Sequence, residues 1–244
     1  MTRREEIAAG LAHTRERIAA ACDAAGRAPD EVTLIVVTKF FPVDDVLVLL
    51  DLGERNFGES RHQEASAKVA ELARLEPEHP GRWHFIGNLQ SNKAAAVAGY
   101  ADVVHSVDRA KLIAPLSRGA PRRRRLSRDP LQVLLQVDLD PAPVSASDRS
   151  RGGADPASIP ALADSVIAAE QLELRGVMGV APLDEDPDQA FEQLARVSAQ
   201  VRARYPDATW VSSGMSGDLE AAIRHGATHA RVGSAILGSR VVGR

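Results

Sequence analysis

Lys39 is the residue of this chain best suited to act as a nucleophile. It follows the apolar run at 34–38 (LIVVT), which is typical of a strand buried on both faces in a parallel sheet. An amine at the end of such a strand loses part of its hydration, which lowers its pKa. A neutral amine attacks carbonyl carbons and forms Schiff bases. The alternative is a lysine that extends its ammonium group from a strand end to the surface.

Two turns rich in glycine and serine are suited to hold a phosphate. Residues 212–217 (SSGMSG) join a predicted strand to a helix that we expect to begin at the cap Ser216. Residues 231–234 (RVGS) end the next strand. Small residues let backbone N–H groups point outward together, and a helix N-terminus adds positive potential.

The elements that must position these residues alternate between strand and helix. After a helix at about 3–25, the predicted strands lie near 34–39, 55–58, 83–87, 103–107, 131–137, 174–180, 210–213 and 229–232. Eight such units in one chain of this length predict a single (β/α)8 TIM barrel domain over residues 1–244, with a doubly wound open sheet as the alternative.

The closed barrel brings the candidate residues together. Its active sites lie at the carboxyl ends of the strands, and strands one, seven and eight are neighbours. Lys39 and the two turns therefore indicate a ligand that carries both an aldehyde and a phosphate.

Composition limits the class of protein. The chain has 244 residues, 44% of them hydrophobic, and a net charge of −3, which gives no general attraction to nucleic acid or anionic membranes. No apolar stretch approaches the roughly 20 residues of a membrane span. The single cysteine, Cys22, shares a helical face with Ile7, Leu11 and Ile18 and is expected in the core. We expect a cytoplasmic monomer without a membrane or nucleic-acid partner.

Two segments interrupt the alternation. Residues 118–128 contain six arginines, which form either a solvated loop or a nucleic-acid patch; the loop is favoured because no aromatic residues interleave with them. Residues 140–156 form a long predicted loop after strand five, and loops of that length often cover a barrel's site.

The chain resembles a known family, the pyridoxal-phosphate homeostasis proteins (the YggS/PROSC family). The matching segments are 37–39 (VTK), 57–59 (FGE), 83–87 (WHFIG) with 89–93 (LQSNK), 176–178 (GVM), 212–216 (SSGMS) with 218–223 (DLEAAI), and 231–238 (RVGSAILG). They extend over nearly the whole chain, and 83–93 is highly specific.

The resemblance implies a barrel like the N-terminal domain of alanine racemase, with pyridoxal 5′-phosphate as cofactor, bound to Lys39 as a Schiff base. It implies that Arg231 faces the ring nitrogen and that the phosphate is held by Ser212, Gly214, Met215, Gly233 and Ser234. We add Met178 and His84 as cofactor-binding candidates, although His84 is equally consistent with a hydrogen-bonded core histidine.

The chain departs from the family pattern at three places. Ser60 stands where an asparagine usually follows Phe-Gly-Glu, and Asn88 replaces a common proline. The loop after strand five has Arg-Gly-Gly at 151–153 in place of the usual Lys-Ser-Gly. The contacts of that loop therefore cannot be transferred.

Arg231 argues against catalysis. A guanidinium only donates hydrogen bonds, so it leaves the pyridine nitrogen unprotonated and weakens the ring as an electron sink. A racemase also needs a second acid or base, and we expect no tyrosine, cysteine or second lysine at the strand ends. Tyr100 and Tyr205 fall at the opposite end of the predicted barrel.

The sequence therefore favours a non-catalytic protein of pyridoxal-phosphate homeostasis that buffers the cofactor or delivers it to apo-enzymes. The alternatives are an amino-acid racemase or another Schiff-base enzyme and, more remotely, a nucleic-acid binder that uses 118–128. No metal site is expected, because Gly226 separates His225 from His229 and the two do not share a helical face.

Overall fold

Strands and helices alternate along the chain as the sequence predicts. The structure is a computed structural model that describes residues 1–123, 129–140, 152–183 and 186–239. The strands are β1 (Thr33–Val37), β2 (Asn56–Glu59), β3 (Arg82–Phe85), β4 (Val103–Val107), β5 (Leu131–Gln136), β6 (Leu172–Met178), β7 (Trp210–Ser212) and β8 (His229–Val232). The helices are α1 (Arg3–Ala24), α2 (Val43–Asp51), α3 (His62–Leu75), α4 (Ala94–Ala98), α5 (Ile113–Gly119), α6 (Ile159–Ile167), α7 (Pro187–Arg204), α8 (Leu219–Arg224) and α9 (Ser234–Leu237).

The eight strands close into a parallel barrel in sequence order, β1 through β8. Closure is made by β1 and β8, which pair in register from Thr33 with His229 to Val36 with Val232. The (β/α)8 barrel is therefore confirmed and the open sheet is wrong. Strands β7 and β8 flank β1 on one side, so the ends of these three strands share one sector of the rim.

Side chains that point away from the barrel axis form its main apolar core, against the helices. Leu34 and Val36 of β1 belong to a buried cluster with residues of α1, including Ile7, Leu11 and Cys22. Cys22 is fully buried and burial raises the pKa of its thiol, as expected for a small core residue rather than a reactive one.

Polar side chains cross the amino end of the barrel interior. Arg82 Nη2 donates to Gln132 Oε1 at 2.6 Å, although β3 and β5 are not adjacent strands. Gln132 Nε2 donates to Glu173 Oε2 at 3.1 Å, and Arg175 Nη1 donates to Glu173 Oε1 at 2.9 Å. The Arg175 guanidinium lies 4.7 Å from the centre of the Trp210 ring. We call Arg82, Gln132, Glu173 and Arg175 the basal layer; its contacts connect β3, β5 and β6 at the amino end of the barrel.

Several predicted boundaries need correction. The helix after β7 begins at Leu219 with Asp218 as its N-cap, not at Ser216. The four-residue helix α9 was not expected. Most of the long predicted loop at 140–156, and Arg124, Arg125 and Arg128 of the arginine-rich segment, fall outside the described residues. No helix within the described ranges has the length and apolar character needed to cross a membrane.

Candidate functional site

The Lys39 segment turns sharply as it leaves the barrel. β1 ends at Val37, so Lys39 lies two residues past the strand instead of within it. Thr38 N–H still donates to Gly58 O of β2 at 3.0 Å. Phe41 N–H donates to Thr38 O at 3.1 Å, which closes a four-residue turn with Lys39 in its second position. Lys39 is half-buried at the carboxyl end of the barrel.

Phe40, in the third position of this turn, has a strained backbone. Among the described residues other than glycine, Phe40 is the one with a positive φ, which is +70°. A type II turn requires a positive φ at this position. Such a residue costs about 1–3 kcal/mol and persists only when its surroundings hold it. Phe40 N–H donates to Glu64 Oε1, and the Arg61 guanidinium lies 4.8 Å from the centre of the Phe40 ring.

A buried group of charged side chains lies behind the turn. Glu59 Oε1 accepts from Thr38 Oγ1 at 2.7 Å and from Lys68 Nζ at 2.5 Å. The Glu59 and Lys68 side chains are only 2% and 6% exposed. Burial raises the pKa of Glu59 despite the opposing attraction of Lys68. Glu59 Oε2 is buried without a hydrogen-bond partner in the described part of the chain.

Lys68 corrects the expectation that no second lysine reaches the strand ends. It belongs to α3, but its Nζ lies 2.7 Å from Thr38 O and 3.2 Å from Glu64 Oε1, in addition to Glu59 Oε1. Three acceptors match the three donors of an ammonium group. Lys68 is therefore arranged as a structural cation that holds the end of β1, while Lys39 follows that end in the chain.

Gly214 fits the role of a close backbone approach. Its φ is +89°, and a Cβ at this position would lie 2.7 Å from the Cβ of Ala222. Only glycine accepts both constraints without strain. Arg231 N–H donates to Gly214 O at 2.9 Å, which extends the pairing of β7 with β8 to this residue.

The late start of α8 changes the predicted phosphate turn. The Asp218 carboxylate accepts from Met215 N–H at 2.6 Å, because the chain between them forms a turn before the helix begins. The Met215 amide is therefore already bonded, and Met215 is half-buried. Its predicted contact with a phosphate stays a prediction, but it would have to come from another part of the residue.

Gly233 and Ser234 follow β8 beside the end of β1. A Cβ on Gly233 would lie 3.0 Å from Val37 O, so Gly233 packs directly against β1, two residues before Lys39. Ser234 is exposed. The backbone N–H groups of Gly214, Gly233 and Ser234 donate no hydrogen bond to any other described residue. These three amides are thus available donors on the sector of the rim that carries Lys39.

Ser212 and Arg231 are hydrogen-bonded to each other inside the barrel. Arg231 Nη1 donates to Ser212 Oγ at 2.6 Å, and Arg231 Nη2 donates to Gly179 O at 2.9 Å. Both side chains are buried. A guanidinium has five N–H donors, so three remain for other acceptors.

The hydrogen bond between Arg231 and Ser212 is the first of a chain of hydrogen bonds that crosses the barrel through two histidines. Ser212 Oγ lies 2.9 Å from His105 Nδ1, and His105 Nε2 lies 2.9 Å from His84 Nδ1. His84 Nε2 lies 3.1 Å from Asn56 Oδ1. We call Asn56, His84, His105, Ser212 and Arg231 the polar relay. Sequence reasoning missed His105 and Asn56; the available signal was that His84 and His105 both occupy predicted strands.

The two ends of the polar relay determine the direction of every bond in it. A guanidinium only donates and an amide oxygen only accepts, so His84 Nε2–H donates to Asn56. With each histidine neutral, His105 Nε2–H then donates to His84, and the Ser212 hydroxyl donates to His105. Ser212 Oγ in turn accepts from Arg231. The Ser212 proton is therefore directed into the barrel.

The burial of these groups favours neutral histidines. Burial, with a smaller effect of neighbouring charges, lowers the pKa of His84 and of His105 well below the usual value. Burial also lowers the pKa of Arg231 to about 10, which leaves it protonated at neutral pH. His84 is 1% exposed and bonded at both ring nitrogens, as expected of a hydrogen-bonded core histidine, and its predicted cofactor contact stays a prediction.

Met178 lies next to the relay. It is 1% exposed, pairs in register with Ser212, and packs against Val103 and Leu134 inside the barrel. Its predicted cofactor contact remains a prediction. A groove of about 870 Å³ lies elsewhere, on the outer wall between α3 and α4, and none of the predicted cofactor residues lines it.

The site fits a ligand that carries an aldehyde and a phosphate. Lys39 supplies an amine at the rim. The amides of Gly214, Gly233 and Ser234 donate to no other described residue and lie past the ends of β7 and β8, where they are suited to phosphate oxygens. The absence of a side chain at Gly214 lets the turn after β7 pack directly against Ala222 of α8. Arg231 holds a positive charge and free donors on the neighbouring strand β8.

Comparison with known proteins gives a consistent result. Residues 11–241 match the family model described as "Alanine racemase, N-terminal domain". A pyridoxal phosphate homeostasis protein of Mycobacterium tuberculosis is 46% identical over 251 residues, which cover 98% of this chain and 94% of that protein.

Two solved structures have the same fold. The structure of PipY from Synechococcus elongatus with PLP bound is 35% identical, with a TM-score of 0.75, and covers 95% of this chain and 100% of that one. A protein of unknown function from Bifidobacterium adolescentis is 32% identical, with a TM-score of 0.84, over 96% of this chain and 95% of that one. The resemblance predicted from the sequence motifs is confirmed: the chain belongs to the family of pyridoxal phosphate homeostasis proteins, which share the barrel of the alanine racemase N-terminal domain.

Proposed function

We propose that this protein binds pyridoxal 5′-phosphate through a covalent link to Lys39 and serves intracellular homeostasis of that cofactor. Bound pyridoxal phosphate supplies an aldehyde that condenses reversibly with a primary amine. The observation that carries the proposal is that the amides of Gly214, Gly233 and Ser234, past the ends of β7 and β8, donate to no other described residue. The relatives' names and the PLP-bound relative support it.

Lys39 is the best candidate among the four lysines of the chain. The others are Lys68, Lys93 and Lys111. Lys68 is held by three acceptors, Lys93 is the N-cap of α4, and Lys111 is exposed in a helical turn after β4. Of the four lysines, Lys39 lies nearest in sequence to the carboxyl end of its strand, two residues past β1, where barrel sites form.

The phosphate is assigned to the turns after β7 and β8. Gly214, Gly233 and Ser234 offer backbone amides, and the Ser234 hydroxyl is exposed beside them. Ser212 was predicted to bind the phosphate, but its hydrogen bonds suit a different role. Its hydroxyl proton is directed to His105, so we assign it the role of holding Arg231.

Arg231 is assigned to the ring nitrogen, with the donors that remain after its bonds to Ser212 and Gly179. A protonated guanidinium orients the ring by donating to this nitrogen and does not protonate it. Reactions that depend on the ring as an electron sink are thereby disfavoured. This supports a carrier more than a transaminating or racemising enzyme.

The second candidate is an amino-acid racemase or another Schiff-base enzyme on the same barrel, which the racemase-like fold favours. The tyrosines argue against it. Tyr100 stands between α4 and β4 and its hydroxyl lies 3.5 Å from His62 Nδ1, while Tyr205 caps α7 and bonds Asp164. Tyr205 belongs to a helix-to-strand connection, opposite the rim that carries Lys39. The Tyr100 hydroxyl reaches the first residue of α3, on the rim side, but burial holds the pKa of Tyr100 well above its usual value.

The finer assignments follow from the carrier role. We propose that the whole chain, residues 1–244, works as one cofactor-binding domain in the cytoplasm and as a monomer. Its recipients are apo-enzymes that depend on pyridoxal phosphate. Neither a nucleic acid nor a membrane is required as a partner.

The covalent link is tested by spectroscopy and peptide mapping. Protein incubated with pyridoxal phosphate should show a visible absorption band that borohydride bleaches, and mass spectrometry should then find the reduced adduct on Lys39. Lys39→Ala should lack both, while Lys111→Ala serves as the matched control and retains them. A band retained in Lys39→Ala, with the label on another lysine, would refute the assignment.

Carrier and enzyme are separated by two assays on one preparation. The loaded protein should reactivate an apo-enzyme that depends on pyridoxal phosphate, and alanine enantiomers should interconvert at a rate near background. Racemisation at about 1 s⁻¹ or faster is in the range of enzymes and would favour the second candidate.

A further inference from the structure

We propose that Glu64 is a positioning residue for Lys39: its carboxylate holds the strained turn that presents the lysine. The inference rests on the proposed function, because it assigns Lys39 as the reactive amine. Glu64 belongs to α3 and is outside the strand ends from which barrel sites are usually built.

The first observation is the bond to the turn itself. Phe40 N–H donates to Glu64 Oε1, and Phe40 is the residue with φ of +70°. In a turn of this kind, the peptide between the second and third residues can flip, which converts positive φ at the third residue to negative φ. Here that peptide joins Lys39 to Phe40. The acceptor on Glu64 fixes the direction of its N–H and opposes the flip.

The second observation is that the residue before Lys39 is held from the same helix. Lys68 Nζ donates to Thr38 O at 2.7 Å and also contacts Glu64 Oε1 at 3.2 Å. Glu64 Oε1 therefore contacts both the Phe40 N–H, directly after Lys39, and the Lys68 ammonium group. That ammonium group in turn binds the Thr38 carbonyl, directly before Lys39. Both neighbours of Lys39 are anchored to α3 through two side chains one helical turn apart.

The third observation concerns partial burial. The Glu64 side chain is 27% exposed, while Lys68 is 6% exposed. A carboxylate at this boundary can be altered without leaving an empty space in the core. The two flanking anchors therefore hold the backbone on both sides of Lys39.

The turn is tested first without any cofactor, by hydrogen exchange of the Phe40 amide measured by NMR. Glu64→Ala should speed that exchange by at least about tenfold, as expected when an amide loses a charged acceptor. Glu64→Gln keeps an oxygen acceptor and should stay within about threefold of the unmodified protein. Glu71→Ala, an exposed substitution on the same helix, is the matched control.

The consequence for Lys39 is tested by the rate at which the absorption band forms after pyridoxal phosphate is added. Glu64→Ala should form it about tenfold more slowly, and Glu64→Gln and Glu71→Ala at nearly the normal rate. Adding Phe40→Asn to Glu64→Ala should restore much of the rate, because asparagine tolerates positive φ better than phenylalanine. A thermal unfolding curve for each variant separates this effect from a general loss of stability.

Three results would overturn the proposal: unchanged Phe40 exchange in Glu64→Ala, an equally slow band in Glu64→Gln, or no recovery with Phe40→Asn. Failure of the proposed function has a different signature. In that case the unmodified protein forms no bleachable band, while Phe40 exchange still responds to Glu64→Ala.

Discussion

Arg231 Nη1 donates to Ser212 Oγ at 2.6 Å, across the paired strands β7 and β8. Ser212 Oγ accepts this hydrogen bond, and the Ser212 hydroxyl donates its own hydrogen bond to His105 Nδ1. Two residues that the sequence assigns separately to the ring nitrogen and to the phosphate therefore act as one unit. The orientation of Arg231 depends on a hydroxyl group that is fully buried.

Ser212→Ala should lower the free energy of unfolding by about 2 kcal/mol or more, because it leaves donors and acceptors buried without partners. Ser212→Thr keeps the hydroxyl and should cost less, unless its added methyl group crowds the barrel. Chemical denaturation of the cofactor-free protein measures both. Ser234→Ala is the control: Ser234 is exposed, so its stability should change by no more than about 0.5 kcal/mol.

Gly214→Ala should destabilise the protein by about 2–3 kcal/mol, since it combines a strained positive φ with a contact of 2.7 Å to the Ala222 Cβ. It should also reduce cofactor retention, because relief of the contact with Ala222 must displace the predicted phosphate turn. Gly217→Ala lies in the same segment with nothing within 4 Å of its Cβ. Equal effects of the two substitutions on denaturation midpoint and retention would contradict this account of the turn.

The phosphate should provide much of the affinity for the cofactor. Hydrogen bonds to a charged group contribute about 1.5–3 kcal/mol each, so pyridoxal should bind far more weakly than pyridoxal phosphate. Ser234→Ala should weaken retention of pyridoxal phosphate several-fold and leave the affinity for pyridoxal unchanged. Equilibrium dialysis of both ligands measures this, and equal affinities for them would remove the phosphate turns from the site.

Acid should unfold the protein in part through His229. Burial, followed by the charges of Arg82, Arg175 and Arg231, lowers the pKa of His229 from 6.5 to about 3. The unfolded chain therefore takes up this proton first, so stability is complete above pH 6.5 and is lost as the pH falls toward 3, by up to about 1.4 kcal/mol per pH unit. His229→Gln should reduce that slope, measured by denaturation from pH 7.5 to 5. Exposed His13→Gln should not.

Glu59 acts with the opposite sign. Its pKa is raised in the folded protein, so the folded state takes up this proton first as the pH falls, and acidification through that range favours the folded state. The measured slope of the whole protein is therefore a sum of opposing contributions. The difference between His229→Gln and the unmodified protein isolates the histidine, and identical slopes would show that His229 is not held neutral.

The fold could be predicted because its signals are local. Runs such as 103–107 and 131–137 are rich in branched apolar residues, and their alternation with amphipathic segments determines the barrel. The start of α8 could not be predicted in the same way. Ser216 and Asp218 are both good caps, and the choice depends on the turn in which Asp218 accepts from Met215 N–H.

The site was predicted only where residues act through their place in the chain. Lys39, Gly214 and Gly233 follow strands, so their common location on the rim follows from the barrel. The polar relay joins His105 to Ser212, 107 positions apart, and depends on which side chains point inward at the same height. Lys68 was missed because a long side chain on a helix reaches the end of a neighbouring strand.

The basal layer bears on the route by which a ligand enters and leaves the barrel. Arg82, Gln132, Glu173 and Arg175 bridge strands at the amino end of the barrel, and barrels of this kind have a packed interior and no pore. A molecule bound at the Lys39 rim must therefore enter and leave at that rim. Binding and release of the ligand must use the same opening, because the ligand cannot pass through the barrel. A recipient protein that takes the ligand by direct contact must therefore dock on the rim at which the ligand entered. An occupied site cannot bind a second ligand until the first has left.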